Sequence, residues 1–208
     1  MAGAQYFEAD PAVASRRGRV ELVLRDGRVE LAVDTGVFSA TRADAGTVAL
    51  LRAIPAPPRA GDLLDLGCGY GPIALTLARR APGATVWALD VNSRALSLVK
   101  DNAAALGLSN VRAAAPTEVP AGVTFAGIWS NPPIRIGKAA LHDLLGAWLP
   151  RLAPGGSAWL VVHKHLGADS LAEWLGQQRW RVSRVGSKQG YRILSVSRLV
   201  EAAAGGDR

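Results

Sequence analysis

Cysteine is almost absent from this chain of 208 residues. Cys68 stands alone, so an intrachain disulfide is impossible and a cysteine-built metal cluster is excluded. Histidine is nearly as scarce: three residues, with no carboxylate cluster at ligand spacing, argue against a metal site. No apolar run approaches the roughly 20 residues that span a bilayer. The opening residues, Met1-Ala-Gly-Ala-Gln-Tyr-Phe-Glu, have neither the basic start nor the apolar core of a secretory signal, so a soluble cytoplasmic protein is expected. Internal repeats are lacking. Lysine is rare beside arginine, 4 against 20, and the formal net charge is +7. The excess is uneven, because residues 151–208 hold nine Lys/Arg against four Asp/Glu. A basic region of this kind suits nucleic acid, the plain alternative being a solvated arginine-rich surface.

What is present is a chain 49% hydrophobic, enough for one substantial core with a small appendage. Residues 20–24 and 28–33 are β-prone runs joined across Asp26-Gly27, a hairpin turn pair. A loop at 34–39 follows, then a short helix over 45–54 stopped by Pro55-Ala-Pro-Pro58. That stretch bounds an N-terminal extension, residues 1–58, from a core at 59–200; residues 201–208 read as a loose tail. Within the core, apolar strands over 62–66, 85–89, 111–115, Phe125–Ser130 and 157–162 alternate with helices over Pro72–Arg80, 94–106, 139–149 and 170–178. Ser93 is the expected cap of the second of these helices. Two final strands, 181–185 and 192–200, are close enough to pair around 186–190. Buried strands separated by helices indicate an α/β fold, a doubly wound and mostly parallel seven-stranded sheet with one antiparallel strand, preceded by a small β-hairpin.

Asp65-Leu66-Gly67-Cys68-Gly69-Tyr70-Gly71 lies where the first core strand meets the first helix, the ligand crevice of such a sheet. Its glycines allow a tight turn and close approach to a ligand. Asp90, ending the second strand, can accept both hydroxyls of a ribose. A nicotinamide dinucleotide is the competing ligand, but the spacing is G-x-G-x-G and not the G-x-G-x-x-G that seats a pyrophosphate. An acidic residue two before the first glycine suits a ligand carrying positive charge, and S-adenosylmethionine has a sulfonium, an ammonium and no phosphate. Asp65 is expected to face that cationic part, directly or through water, while Cys68 is a small packing residue.

Asn131-Pro132-Pro133-Ile134 follows the strand Phe125–Ser130. Two prolines stiffen the backbone and forbid helix there. The Asn131 side-chain oxygen and the Pro132 carbonyl could then accept the two hydrogens of an exocyclic or amide NH2, aligning its nitrogen with a methylsulfonium. On this reading Asn131→Asp keeps an acceptor and part of the activity. The alternative is a rigid turn without a catalytic part.

Together the two motifs resemble the class I amino-methyltransferases. The fuller match resembles the ribosomal RNA small subunit methyltransferase C family, which methylates guanine N2. Gly36-Val37-Phe38-Ser39, the run from Ser130 to Lys138, and Leu152-Ala153-Pro154-Gly155-Gly156 carry it. The resemblance implies the strand order 3-2-1-4-5-7-6 with strand 7 antiparallel. It implies that Asp65, Gly67 and Gly69 line the methionine part of the cofactor, with Cys68, Gly71, Val91 and Asn131 beside it. Asp90 would hold the ribose and Ala114 or Ala115 the adenine. Asn131, Pro132, Pro133 and Ile134 would form the catalytic stretch. Ile134 stands where many relatives carry an aromatic, which sets the chain apart from adenine-N6 DNA enzymes and from release-factor glutamine enzymes. Phe38, Arg135 and Lys138 are the expected substrate contacts, and ribosomal RNA or the small ribosomal subunit the expected partner, with no metal and no membrane. Methylation of a protein amide, a non-catalytic RNA-binding protein and a nicotinamide oxidoreductase are the other readings. His163-Lys164-His165 is placed near the crevice, and the six tryptophans are expected mostly in the core.

Overall fold

A computed structural model of the chain describes residues 11–199. The tail over 201–208, and residue 200 of the last expected strand, lie outside the described residues. The described chain includes an antiparallel hairpin, β1 (Arg17–Leu24) and β2 (Gly27–Asp34), turning at Arg25-Asp26, one residue ahead of the expected Asp26-Gly27 pair, because Leu24 already pairs with Gly27 (φ 126°). One face alternates inward, burying Val20, Leu22, Leu24, Leu31 and Val33. Helix α1 (Ala45–Ala53) follows, its cap Asp44 accepting from the Thr47 N–H.

The remaining elements alternate. They are β3 (Gly61–Leu66), α2 (Pro72–Arg80), β4 (Ala84–Leu89), α3 (Ser93–Ala105), β5 (Val111–Ala114), β6 (Phe125–Ser130), α4 (Lys138–Trp148), β7 (Leu152–His163), α5 (Ala168–Gln177), β8 (Trp180–Lys188) and β9 (Tyr191–Arg198). The seven-stranded sheet runs β5-β4-β3-β6-β7-β9-β8. Counted from β3 this is 3-2-1-4-5-7-6, and β9 lies antiparallel to both neighbours. The hairpin, α1, α2 and α3 share one apolar cluster, while α4 and α5 contribute to a second. Trp87, Trp129 and Trp148 are buried, and Trp159, Trp174 and Trp180 pack partly buried against the clusters.

Three other local expectations change. The cap of α3 is Asn92, not Ser93: Asn92 is extended (φ −83°, ψ 114°) and its side chain accepts from Arg94 and Ala95 N–H, which makes Ser93 the first helical residue. Strand β7 starts at Leu152, because Leu152 pairs with Phe125 across a register shift that absorbs Pro154-Gly155-Gly156. Strand β8 runs on to Lys188, so its hairpin with β9 closes at Gln189-Gly190, both with positive φ.

Long-range polar contacts bind the first segment to the core. The Arg80 guanidinium donates to both Asp26 carboxylate oxygens at 2.7 and 3.0 Å and to the Leu51 carbonyl at 3.1 Å. Arg94 donates to Thr35 and Val13 carbonyls, and the Asn92 amide to the Gly36 carbonyl. Buried Asn102 closes a two-way pair with the Ala32 backbone (2.7 and 3.0 Å) and donates to the Tyr70 carbonyl at 3.0 Å. Asn102→Ala strands the Ala32 amide and carbonyl at about 1–3 kcal/mol per unsatisfied buried group. Urea denaturation is expected to show a loss of about 2–4 kcal/mol at an unchanged m-value; a loss below about 0.5 kcal/mol would show that water replaces the amide at no cost.

Candidate active site

The loop after β3 owes its shape to its neighbours. Gly67 and Cys68 N–H both donate to the Leu89 carbonyl at 2.8 Å, and Gly69 N–H donates to Asp90 Oδ2 at 2.9 Å. Gly67, Gly69 and Gly71 have φ of 76°, 55° and 94°, a region that side chains strain to occupy. A Cβ on Gly69 would meet nothing within 4 Å, so the loop presents bare backbone to open space.

Two carboxylates sit at the ends of β3 and β4. Asp65 is fully buried, and its Oδ2 accepts from the Ala74 N–H at 2.9 Å. Gly71, the cap residue of α2, has no side chain, so Asp65 supplies the missing acceptor from the strand. Its Oδ1 is buried without a partner. Burial pushes the carboxyl up to about 8; the Ala74 N–H opposes the rise and the Asp90 charge adds to it. Asp90 stands at the end of β4, its two oxygens accepting from Asn92 and Gly69 N–H, and burial raises its pKa against those bonds. Burial also pushes the Cys68 thiol far up, reinforced by Asp90 and Asp65, which removes a thiolate at neutral pH.

At the end of β6 the Ser130 hydroxyl donates to the Leu66 carbonyl at 2.6 Å, tying the second motif to the first. The Asn131 Nδ2 donates to Asp44 Oδ1 at 2.8 Å and to Thr47 Oγ1 at 3.0 Å, both on the N-terminal turn of α1. The Pro132 carbonyl accepts from the Ile134 N–H at 2.8 Å around Pro133 (φ −73°, ψ 72°), an inverse γ-turn that engages one of its lone pairs. A Cβ on Gly67 would stand 3.8 Å from Pro133 Cδ, so the two motifs face each other.

They border one cavity of about 690 Å³, within the range of small-molecule sites. Of the expected residues, Gly67, Cys68, Gly69, Asp90, Val91, Asn131, Pro132, Pro133, Ile134 and Phe38 line it. Asp65 and Gly71 do not. Asp65 lies behind the loop as the α2 cap and does not face the ligand space. Ala114 is buried in the second apolar cluster and Ala115 borders nothing there; the lining residue after β5 is Pro116. Lys138 is exposed as the first residue of α4 and lies off the wall, and Arg135 falls in the short turn Ile134–Ile136 before it. His163 reaches the wall, and His165 and Lys164 are exposed beyond it. Asp44, Thr47, Tyr70 and Tyr191 are wall residues that sequence reasoning passed over. Asp44 and Thr47 meet Asn131 across more than 80 residues, a separation no local pattern reports.

The lining fits S-adenosylmethionine better than a dinucleotide. Where a pyrophosphate would sit on the first turn of α2, the Asp65 carboxylate already takes an N–H. Among the described residues no lysine or arginine lines the cavity, whereas two carboxylates, Asp44 and Asp90, do. Among the described residues no group of three His, Cys, Asp or Glu could hold a metal ion, and no helix is long and apolar enough to cross a membrane.

Asp65 makes stability depend on pH. The folded chain holds its proton up to about pH 8, while an unfolded Asp releases it near about 4. Between these values the folded state binds more protons, so this stabilisation is complete below about pH 4 and is lost as pH rises toward 8. Asp90 adds in the same direction. Thermal denaturation without ligand is expected to show a falling melting temperature across that window, and Asp65→Asn to flatten the slope; an unchanged slope would locate the proton elsewhere.

The model of the family described as Methyltransferase small domain matches residues 28–195. The Bacillus subtilis "Uncharacterized protein YbxB" is 36% identical over 197 residues, spanning 93% of this chain and 98% of that one. "Ribosomal RNA small subunit methyltransferase C" of Pseudomonas aeruginosa is 35% identical over 195 residues, 91% of this chain but 57% of that protein, so the chain spans little more than half of such relatives. A solved 16S rRNA N2 methyltransferase from T. Thermophilus, in complex with AdoMet and guanosine, superposes with a TM-score of 0.71 at 24% identity, over 91% of this chain and 52% of that one. A ribosomal protein L11 methylase from Lactobacillus delbrueckii superposes at 0.58 and 21% identity, over 74% of this chain and 76% of that one. These structural likenesses establish the fold, and the sequence matches establish kinship: the chain belongs to the Methyltransferase small domain family and is an S-adenosylmethionine-dependent methyltransferase.

Proposed function

We propose that the chain methylates an exocyclic amine of ribosomal RNA, guanine N2 of 16S rRNA being the target that its relatives' names favour. The observation that carries this reading is the meeting of the glycine loop and Asn131-Pro132-Pro133-Ile134 on one cavity. S-adenosylmethionine, when bound, supplies an electrophilic methyl group on a sulfonium. In this proposal Gly67, Cys68 and Gly69 border its methionine part, Asp90 accepts from the ribose, and Val91 and Pro116 flank the adenine. Asn131 Oδ1 and the free lone pair of the Pro132 carbonyl accept from the target NH2, which orients the nitrogen and favours positive charge growing on it. Phe38, 47% exposed at the mouth, provides the aromatic face that Ile134 lacks. Arg135 and Lys138 follow the tetrapeptide and would meet backbone phosphates, with the basic residues of 151–208 adding to the attraction. The small ribosomal subunit or its RNA is the proposed partner.

Single-turnover transfer of a labelled methyl group to 16S rRNA tests the reading. Asn131→Ala is expected to slow transfer by about 10²–10³-fold, the cost of losing one preorganised polar group. Its affinity for S-adenosylhomocysteine should stay near the parental value; parental transfer would reduce the tetrapeptide to a turn. Asp90→Ala should weaken S-adenosylhomocysteine by about 1–3 kcal/mol in calorimetry. Phe38→Ala should raise the KM for RNA by a stacking loss of about 1–3 kcal/mol with kcat little changed.

A further inference from the structure

The Asn131 amide has two faces, one an acceptor and one a donor, and only the acceptor suits an NH2 target. What decides which face meets the cavity lies in the N-terminal segment. Both partners of Nδ2 belong to the first turn of α1, and they are not equivalent. The Thr47 hydroxyl can accept or donate, so it would tolerate either orientation of the amide. The Asp44 carboxylate only accepts. With the amide reversed, its oxygen would face a carboxylate oxygen at hydrogen-bond distance, and both would lose their partner. The turn that carries Asp44 is itself pinned. Asp44 Oδ1 accepts from the Thr47 N–H at 2.8 Å as the helix cap. A Cβ on Gly46 would lie 2.6 Å from the Tyr191 ring, so α1 approaches β9 as closely as a glycine permits.

We propose that Asp44 is a positioning residue that locks the Asn131 amide with its oxygen toward the cavity, and thereby restricts the enzyme to targets that bring an N–H. The proposal rests on the reading of Asn131 as the acceptor for the target amine. It deepens that reading, because an acceptor-only site holds an exocyclic NH2 and offers nothing to a ring nitrogen lone pair or a carbonyl. It also changes what Asn131→Asp does. A carboxyl at that position would confront Asp44 instead of receiving help from it, although an acceptor is formally kept.

Four variants test this in single-turnover transfer to 16S rRNA, with S-adenosylhomocysteine affinity and thermal denaturation alongside. Asp44→Ser keeps a helix cap, but its hydroxyl can donate and so no longer dictates the orientation. It is expected to lower kcat about tenfold or more with KM and cofactor affinity within about threefold, a loss confined to the transition state. Asp44→Asn, whose oxygen can still accept from Thr47 N–H and Asn131 Nδ2, is expected within about threefold of the parental kcat. Asn131→Asp alone should fall close to the Asn131→Ala level. Combining it with Asp44→Ser, whose hydroxyl can accept from Thr47 N–H while donating its hydrogen to the carboxylate at 131, restores a donor facing an acceptor and should recover at least about tenfold of that loss. A readout independent of turnover is the exchange of the Asn131 side-chain NH2 hydrogens with water in 15N-labelled protein: slow in the parental chain and fast in Asp44→Ser. Parental kcat in Asp44→Ser beside a crippled Asn131→Ala, no recovery in the double variant, or fast exchange in the parental chain would each overturn the proposal and leave Asn131 as the acceptor. Parental transfer in Asn131→Ala would overturn the underlying reading instead.

Discussion

Helix α2 begins without a capping side chain of its own, because Gly71 must take a left-handed φ to turn the chain out of the loop. Its first-turn N–H groups still need acceptors in a site closed to water. Asp65 answers that need from β3, and Asp90 with the Leu89 carbonyl does the same for the loop amides from β4. The polar demands of the loop are thus met from behind, and its front is left as bare backbone that a ligand can approach. The cost is a carboxyl so deeply buried that it keeps its proton to about pH 8. The anion-binding character of a helix N-terminus is spent on an internal group, and the cavity in front is left to a cationic ligand.

The segment before the sheet completes this site. Asn92 and Asn102 of the α3 region, Arg94, and Arg80 of α2 bind its backbone, and its apolar face enters the same cluster as α2 and α3. The Arg80 guanidinium in particular holds the hairpin turn at Asp26. Docked in this way, the segment delivers Phe38 to the cavity mouth and Asp44 and Thr47 to Asn131. The Asn131-Pro132-Pro133-Ile134 stretch after β6 and the turn on α1 therefore depend on each other: the helix cap is also the partner of the amide. Buried Tyr70, its hydroxyl without a partner and its pKa pushed up to about 12 by burial and by Asp44, lies on the same wall.

Much of the fold is written in local pattern. Apolar runs of strand length, helices of 9 to 13 residues and the glycines and prolines between them place the core elements within a few residues, because secondary structure responds to periodicity and to backbone permissiveness over short windows. The glycine loop and the Asn-Pro-Pro stretch are legible for the same reason, since each is a contiguous run whose residue types limit the backbone. The strand order came with the resemblance to a known family, as alternation alone does not order a sheet. What local pattern does not report is the direction a side chain takes. Asp65 reads as a ligand contact because it precedes a glycine loop, yet the inward face of β3 turns it toward α2. Ala114 reads as an adenine neighbour, yet it faces the second cluster and the chain reaches the cavity wall two residues later, at Pro116.

By itself the sequence determined the class of fold and the place of the two motifs at the sheet's edge, because each follows from contiguous residues and their allowed backbone. Tertiary structure alone decided which oxygen or nitrogen of Asn131 meets the cavity. The amide nitrogen contacts Asp44 and Thr47, 87 and 84 residues away in the chain, and a hydrogen bond between such distant residues exists only once the hairpin and α1 have packed against the core.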